Sequence, residues 1–428
     1  MNKQWMEYSK TEAFASRIAT LYGAGEGILA DQQARYGKLA ERFEARFGEP
    51  KGELFFFSAP GRTEIGGNHT DHQHGRVLAG SVNVDMLAAA AENGSSLVKV
   101  KSEGYEMFSV DLSCLEPVEG EQGTTAALVR GICSEIARRG YPVRGFDACV
   151  TSQVMQGSGL SSSAAFEVLM GAVVNGLFCG EALNATDLAI IGQKAENLFF
   201  GKPCGLMDQM ASAWGGIIAI DFQNPAAPVV KPVDFDFAAA GHSLCMIDVG
   251  ADHANLTHEY AAIPGELGKV SGFFGKTALR DVPEEDFFAN IAAVRAAAGD
   301  RAVLRAIHVY QENRRVERLC DALEKGDFAG FLQVIRESGR SSWMYLQNVV
   351  VTGSTAEQSA ALALALCDSI LGDRGAFRVH GGGFGGTVQA FVPDELLAEF
   401  KARIEAVFGA GHCHVMKIRS KGFMKVEY

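Results

Sequence analysis

The run Gln156-Gly157-Ser158-Gly159-Leu160-Ser161-Ser162-Ser163-Ala164-Ala165 constrains this chain more than any other stretch. Before it, Phe146 to Thr151 alternates as a strand does, and after it Phe166 to Asn175 is apolar at helical spacing. A strand, a Gly/Ser loop and a helix start in that order make a phosphate-binding device. Gly157 and Gly159 permit close backbone approach and positive φ, and the serines can cap the helix. The unpaired N–H groups of the first turn, together with the helix dipole, attract an anion. A loop that merely caps a helix has the same composition, so the reading depends on what accompanies it.

Bulk composition narrows the possibilities. The 428 residues are 47% hydrophobic and 21% charged, which suits a folded protein of two or three domains. A net charge of -12 implies no basic face and argues against a nucleic-acid partner. A nucleotide bound by so acidic a chain needs local compensation from Lys or Arg, from backbone N–H groups, or from Mg²⁺. The nine cysteines contain no C-x-x-C pair and read as reduced core residues of a cytoplasmic protein. Met1 to Trp5 lacks the apolar core of a signal peptide, and no apolar run reaches the roughly 20 residues that span a bilayer, so no membrane partner is expected.

Along the chain, residues 1–50 are charged and predict one to three helices packed on the main body. Short β runs follow at 54–58, 77–82, 86–91 and 97–101. Residues 126–139 predict a helix that stops before Gly140-Tyr141-Pro142. Beyond the Gly/Ser loop and its helix, a further helix opens at Asn184 and a strand lies at 215–220. We place a lobe boundary near residue 240, giving a helical extension (1–50), a lobe with the phosphate loop (51–240) and a second lobe (241–428). The second lobe predicts strands at 244–249, 377–380, 387–392 and 414–418. Its helices are expected near 284–298, 301–307, 311–325, 328–337, 355–371 and 395–408. Helices and strands are grouped rather than strictly alternating, an α+β pattern.

Three further segments carry chemistry. Ala59-Pro60-Gly61-Arg62-Thr63-Glu64-Ile65-Gly66-Gly67-Asn68-His69-Thr70-Asp71-His72-Gln73 runs an apolar strand into a polar, glycine-containing turn. Its donors and acceptors suit a polyhydroxylated ligand. His69, His72, His74 and Asp71 also permit a metal reading, although alternation along an extended chain would split that set. Arg378-Val379-His380-Gly381-Gly382-Gly383-Phe384-Gly385-Gly386-Thr387 places five glycines in six residues between two β runs. Close approach of backbone to a ligand or another loop explains so much glycine better than a tight turn does. In Ala195 to Gln209, Asp208 follows a Pro/Gly turn in an apolar setting, as a helix cap or a functional group.

In this order and separation the four segments resemble the GHMP kinase superfamily, and within it the galactokinase family. The resemblance rests on Pro60-Gly61-Arg62 with His69-Thr70-Asp71, Gly159 to Ala164, Pro203-Cys204-Gly205 with Met207-Asp208-Gln209, and Gly381 to Gly386, and it spans about residues 50–428. It implies a two-lobed kinase fold with the active site in the interlobe cleft, and an ATP-dependent transfer to the anomeric hydroxyl of a sugar, galactose first. By that resemblance Asp208 is the catalytic carboxylate and Arg62 its cationic partner. Gly157, Ser158, Gly159, Leu160, Ser161, Ser162 and Ser163 hold the ATP phosphates, and Ser162 or Ser163 with Glu196 holds Mg²⁺. Asn68, His69, Asp71 and Tyr260 meet the sugar.

Two positions depart from the family pattern. Asn68 stands where galactokinases usually carry Glu, which binds the C6 hydroxyl, and His72 stands where they carry Tyr. A neutral amide there could admit a C6-modified sugar such as galacturonate, or a pentose such as arabinose. A catalytically silent sugar and nucleotide sensor is the alternative from another class, and a GHMP kinase for mevalonate or homoserine is a third. Oligomeric state is not legible in the sequence.

Overall fold

The apolar runs of the sequence become strands covered on both faces, and that double cover explains why they are continuous rather than alternating. The computed structural model describes residues 3–154, 159–250 and 256–426. Helices α1 (Lys3–Tyr8), α2 (Glu12–Tyr22) and α3 (Glu26–Phe47) precede the long strands β1 (Phe55–Gly66) and β2 (Arg76–Glu92). Then come β3 (Leu97–Ser102), β4 (Phe108–Asp111), α4 (Thr125–Arg138), β5 (Phe146–Ser152), α5 (Ser162–Phe178) and α6 (Ala185–Ala195), which runs on into a π-helical turn at Glu196–Phe200. Next are α7 (Met207–Trp214), β6 (Ile217–Asp221) and β7 (Val229–Val233). The second half contains β8 (His242–Asp248), α8 (Thr257–Phe273), α9 (Glu284–Ala289), α10 (Ile291–Ala298), α11 (Asp300–Glu324) and α12 (Phe328–Ser341). It closes with α13 (Ser359–Leu371), β9 (Ala376–His380), β10 (Thr387–Pro393), α14 (Leu397–Phe408), β11 (Cys413–Met416) and β12 (Met424–Val426). The architecture is α+β.

The first sheet has the order β12-β1-β2-β5-β3-β4, with β6 on the other end of β2 and β7 beyond it. Only the β3–β5 pairing is parallel among its described pairs. The second sheet, β11-β8-β10-β9, is antiparallel throughout. Side chains alternate across the first sheet as pleating requires. Phe57, Ala88 and Ala90 face a core filled by α4 and α5, while Phe56, Leu87, Ala89 and Cys149 face a separate core of Trp5, Phe14, Ile18, Tyr36 and Phe43. The N-terminal helices therefore cover one face of the sheet at β1, β2, β5 and β12.

Several expectations need correction. β1 does not end at Ser58: it continues through the first motif to Gly66, with register shifts between Pro60 and Arg62 and between Glu64 and Gly66. The turn begins only at Gly67. Residues 77–82 and 86–91 are one strand, β2, because its two ends pair with different neighbours, β6 and β5. Helix α8 was not expected; Pro264 sits inside it, with Gly265, Gly268 and Gly272 beyond, and these residues mask helical periodicity. The helices expected at 301–307 and 311–325 are one, α11. Its buried Arg305, His308 and Glu312 interrupt the apolar pattern but are all hydrogen-bonded. Finally β12 crosses back to pair with β1, so the last residues of the expected second lobe belong to the first sheet.

Candidate active site

Close backbone approaches bring the four motifs together. Arg62 leaves β1 beside the start of α5: its N–H donates to Leu160 O at 3.1 Å, and its Nη1 donates to Gly159 O. A Cβ on Gly61 would lie 3.1 Å from Leu160 O, tight enough that Gly61 lets the two segments touch. The rest of the Arg62 fork grips Asp208, on the first turn of α7, with Nε to Oδ1 at 2.7 Å and Nη2 to Oδ2 at 2.8 Å. This bidentate geometry is the strong form of a carboxylate–guanidinium pair. The Ser161 hydroxyl donates to the same Oδ2 at 2.7 Å, from a left-handed backbone (φ 57°) rare for a residue with a side chain.

Burial by itself pushes the Asp208 carboxyl up, but Arg62 and the Ser161 hydroxyl outweigh it and hold the group below the usual carboxylate range. Asp208 is thus an anion whose charge is already shared. Its side chain remains 31% exposed, which leaves one face for a ligand.

The second half contributes the glycine loop. Gly159 has φ 72°, and a Cβ there would stand 2.7 Å from Thr387 Oγ1 and 3.0 Å from His380 Nδ1, so only glycine fits between the phosphate loop and the second sheet. His380 Nε2 accepts from Glu64 N–H at 2.8 Å. Burial, then the nearby Arg62 and Arg378, keeps its imidazole neutral.

Tyr260 lies against Gly382, and its hydroxyl donates to Gly383 O at 3.2 Å. The His69 Nε2–H donates to Gly382 O at 3.1 Å; burial lowers its pKa to about 3, so it too is neutral. Asp71 comes within van der Waals reach of Gly205, where a Cβ would lie 2.0 Å from Oδ2, so the turn of the first motif meets the Pro203-Cys204-Gly205 turn ahead of Asp208.

Helix α11 braces that turn from behind. Glu312 Oε1 accepts from Gly67 N–H at 3.1 Å, Asn313 Oδ1 accepts from Arg76 N–H at 2.7 Å, and His308 Nε2–H donates to Asn68 O at 3.0 Å.

The remaining expected residues divide. Gly157 and Ser158 lie outside the described residues. Leu160 is wholly buried, with its side chain in the core and its carbonyl taken by the Arg62 N–H. Ser162 is half-buried and Ser163 exposed on the first turn of α5. Glu196 is buried, with Gln209 Nε2 at 3.3 Å and Lys202 Nζ at 3.6 Å. Asn68 is fully buried, and its amide is spent inside the protein. Its Nδ2 donates to Glu64 Oε1 at 3.0 Å and Gly381 O at 2.6 Å, while Oδ1 accepts from Asn348 at 2.8 Å. A direct sugar contact through the Asn68 side chain is not what this geometry offers. His69, His72, His74 and Asp71 do not gather as ligands either; among the described residues no group of three or more His, Cys, Asp or Glu could hold a metal by itself.

Sequence reasoning missed the Ser161 contact to Asp208, the Glu64–Arg378 ion pair behind Asn68, and Asn348. Arg378 lay inside a motif already singled out, but its glycines drew the attention. The sequence around Asn348 offers no signal.

The chain is similar to known kinases in sequence and in fold. Residues 127–216 match the GHMP kinases N terminal domain, and residues 41–92 match the galactokinase galactose-binding signature. The chain is 30% identical over 384 residues to a galactokinase of Streptomyces coelicolor, covering 88% of this chain and 94% of that protein. It is 33% identical over 362 residues to a galactokinase of Actinobacillus pleuropneumoniae, covering 83% and 89%. The crystal structure of Lactococcus lactis galactokinase complexed with galactose superposes with a TM-score of 0.78 at 25% identity, covering 92% of this chain and all of that one. The mevalonate kinase of Methanococcus jannaschii shares the fold, with a TM-score of 0.61 at 12% identity over 86% of this chain and 99% of its own.

Proposed function

The chain belongs to the galactokinase family of the GHMP kinases, and on that premise we propose that it transfers the γ-phosphoryl group of ATP to the anomeric (C1) hydroxyl of galactose, giving galactose 1-phosphate. The observation that carries the reading is the Arg62–Asp208–Ser161 cluster, with one face of Asp208 exposed, at the meeting point of the serine loop and the glycine loop.

In this reading the N–H groups at 157–163 cradle the phosphates and compensate for the acidic surroundings. Asp208 accepts a hydrogen bond from the C1 hydroxyl. Because Arg62 and Ser161 depress its basicity, it orients the oxygen first and takes the proton as the new P–O bond forms; a loose phosphoryl transition state asks little more of the nucleophile. The Arg62 guanidinium spreads the charge that gathers on Asp208 and the transferring group. His69, Asp71 and Tyr260 line the sugar end. Asn68 acts from behind, fixing the Gly381–Gly382 backbone that the sugar would face.

The residues fit a divalent cation. Ser162, Ser163 and Glu196 offer the oxygens that Mg²⁺ prefers, and Glu167 nearby has a buried carboxylate oxygen with no hydrogen-bond partner. Burial and the neighbouring Glu196 charge push the Glu167 carboxyl up. Held there, Mg²⁺ would neutralise phosphate charge during transfer. No described helix is long and apolar enough to cross a membrane. By family we place the enzyme in the cytoplasm, with an N-terminal lobe to about residue 240, which β12 rejoins, and a C-terminal lobe between them.

ADP release measured with galactose, galacturonate, arabinose and mevalonate, with phosphorus NMR of the product, tests the proposal. Galactose should turn over fastest and give a sugar 1-phosphate. Faster turnover of galacturonate or arabinose would reassign the substrate. Binding of galactose and ATP without turnover would leave the sensor reading.

A further inference from the structure

Asp85, opposite Pro60 in the β1–β2 register, is a fully buried carboxylate on which four segments of the chain converge. Arg35, from α3, donates from Nη1 to its Oδ1 at 2.6 Å, and Tyr22, from α2, donates to Oδ2 at 2.6 Å. Ser58, from β1, donates to Oδ2, and Arg419, from the C-terminal segment, reaches it at 3.2 Å. Burial would push this carboxyl up, but Arg35 and Arg419 overcome that and keep it an anion.

The backbone of the same residue holds the approach to the phosphate loop. Asp85 O accepts from Gln153 N–H at 2.8 Å and from Arg35 Nη2 at 3.1 Å, and Arg35 Nη1 also donates to the Gln153 side chain at 3.0 Å. Next to Gln153, Val154 packs against Gly61, one residue before Arg62. The far end of the loop is held by Arg62, through Gly159 O and Leu160 O. One arginine thus grips each end of the loop, and the first of them, Arg35, lies ahead of both family matches, on a helix that runs into the first.

We propose that Arg35 is a positioning residue for the nucleotide: the N-terminal helices set the approach of the phosphate loop through the Arg35–Asp85–Gln153 bridge. This inference rests on reading residues 156–163 as the ATP loop. A planar fork is needed, since one guanidinium must serve a carboxylate, a carbonyl and an amide at once, and a lysine ammonium cannot reach all three in that geometry.

The test is calorimetric affinity for a non-hydrolysable ATP analogue, together with KM for ATP, KM for galactose and kcat, in Arg35→Ala, Arg35→Lys and Gln153→Ala. Phe14→Leu, in the separate core beneath the same helices, is the control for lost stability. Arg35→Ala should weaken the analogue and raise KM for ATP about tenfold, the effect of one charge-assisted contact, with KM for galactose within about twofold. Arg35→Lys should recover part of the loss. Gln153→Ala, at an exposed position just past the end of β5, should shift nucleotide affinity in the same direction, and it serves where Arg35→Ala does not fold. Phe14→Leu should lower Tm and leave nucleotide affinity intact. Unchanged analogue affinity in both Arg35→Ala and Gln153→Ala, or equal weakening of both substrates, would overturn the inference. A native protein that fails to bind the analogue would overturn the nucleotide reading with it.

Discussion

Two carboxylates, Asp85 and Asp208, each meet a side chain of β1 and are held by arginines, yet the proposed function gives them opposite roles. Asp85 has no exposed surface, and its oxygens are shared among Arg35, Arg419, Tyr22 and Ser58. Asp208 has one arginine and one serine, and nearly a third of its side chain faces the cleft. Both are held as anions against the pull of burial. What separates a structural acid from a working one here is an open face, since charge, partner type and direction of shift are alike.

The largest expected effect breaks that symmetry. Asp208→Asn should lower kcat by roughly 10³-fold, as loss of a proton acceptor does, while Tm and substrate affinities change little. A kcat within tenfold of native would place the chemistry elsewhere. Asp85→Ala should do the reverse. Stripping the counter-charge from two buried arginines costs about 3–5 kcal/mol in denaturant unfolding. If its unfolding midpoint matched that of Asp208→Asn, the contrast would be void.

Acid sharpens the comparison, because neither carboxylate titrates between pH 7 and 5. The folded His308 stays neutral there as well: burial lowers its pKa to about 4, below the unfolded value, so the unfolded chain binds the proton first and stability falls as pH drops below about 6.5. Between pH 7 and 5 that amounts to about 2 kcal/mol, and His308→Gln should remove it from the pH slope of unfolding. An unaltered slope would show that α11 is not the acid-labile brace. The smallest effect concerns Ser161→Ala, which should lower kcat about tenfold by releasing one of the contacts that orient Asp208. It should leave unfolding near native.

How legible this was in the sequence follows from distance along the chain. The strand, loop and helix around residues 146–178 are local, and the sequence marks them with alternation, glycine and helical spacing. Arg62 and Asp208 were identified through the resemblance, because 146 residues separate them and no local pattern couples them. Ser161 was expected to serve phosphate, and its contact to Asp208 needed the left-handed backbone to be seen. The Asp85 network joins residues 27 to 334 positions apart and was invisible for the same reason. Asn68 was expected to face the sugar; Glu64, four residues before it, accepts from its amide, and Arg378, which holds Glu64 in place, comes from a strand 314 residues further on.

A double-mutant cycle on Arg62 and Asp208 tests most directly the claim that these two side chains act as one device on the sugar's hydroxyl. With kcat measured for Arg62→Ala, Asp208→Ala and the pair, the double variant should be no slower than the slower single one, since each loss already disables the unit. Losses that multiply would mean that the two residues act independently, and the account of the site would fail.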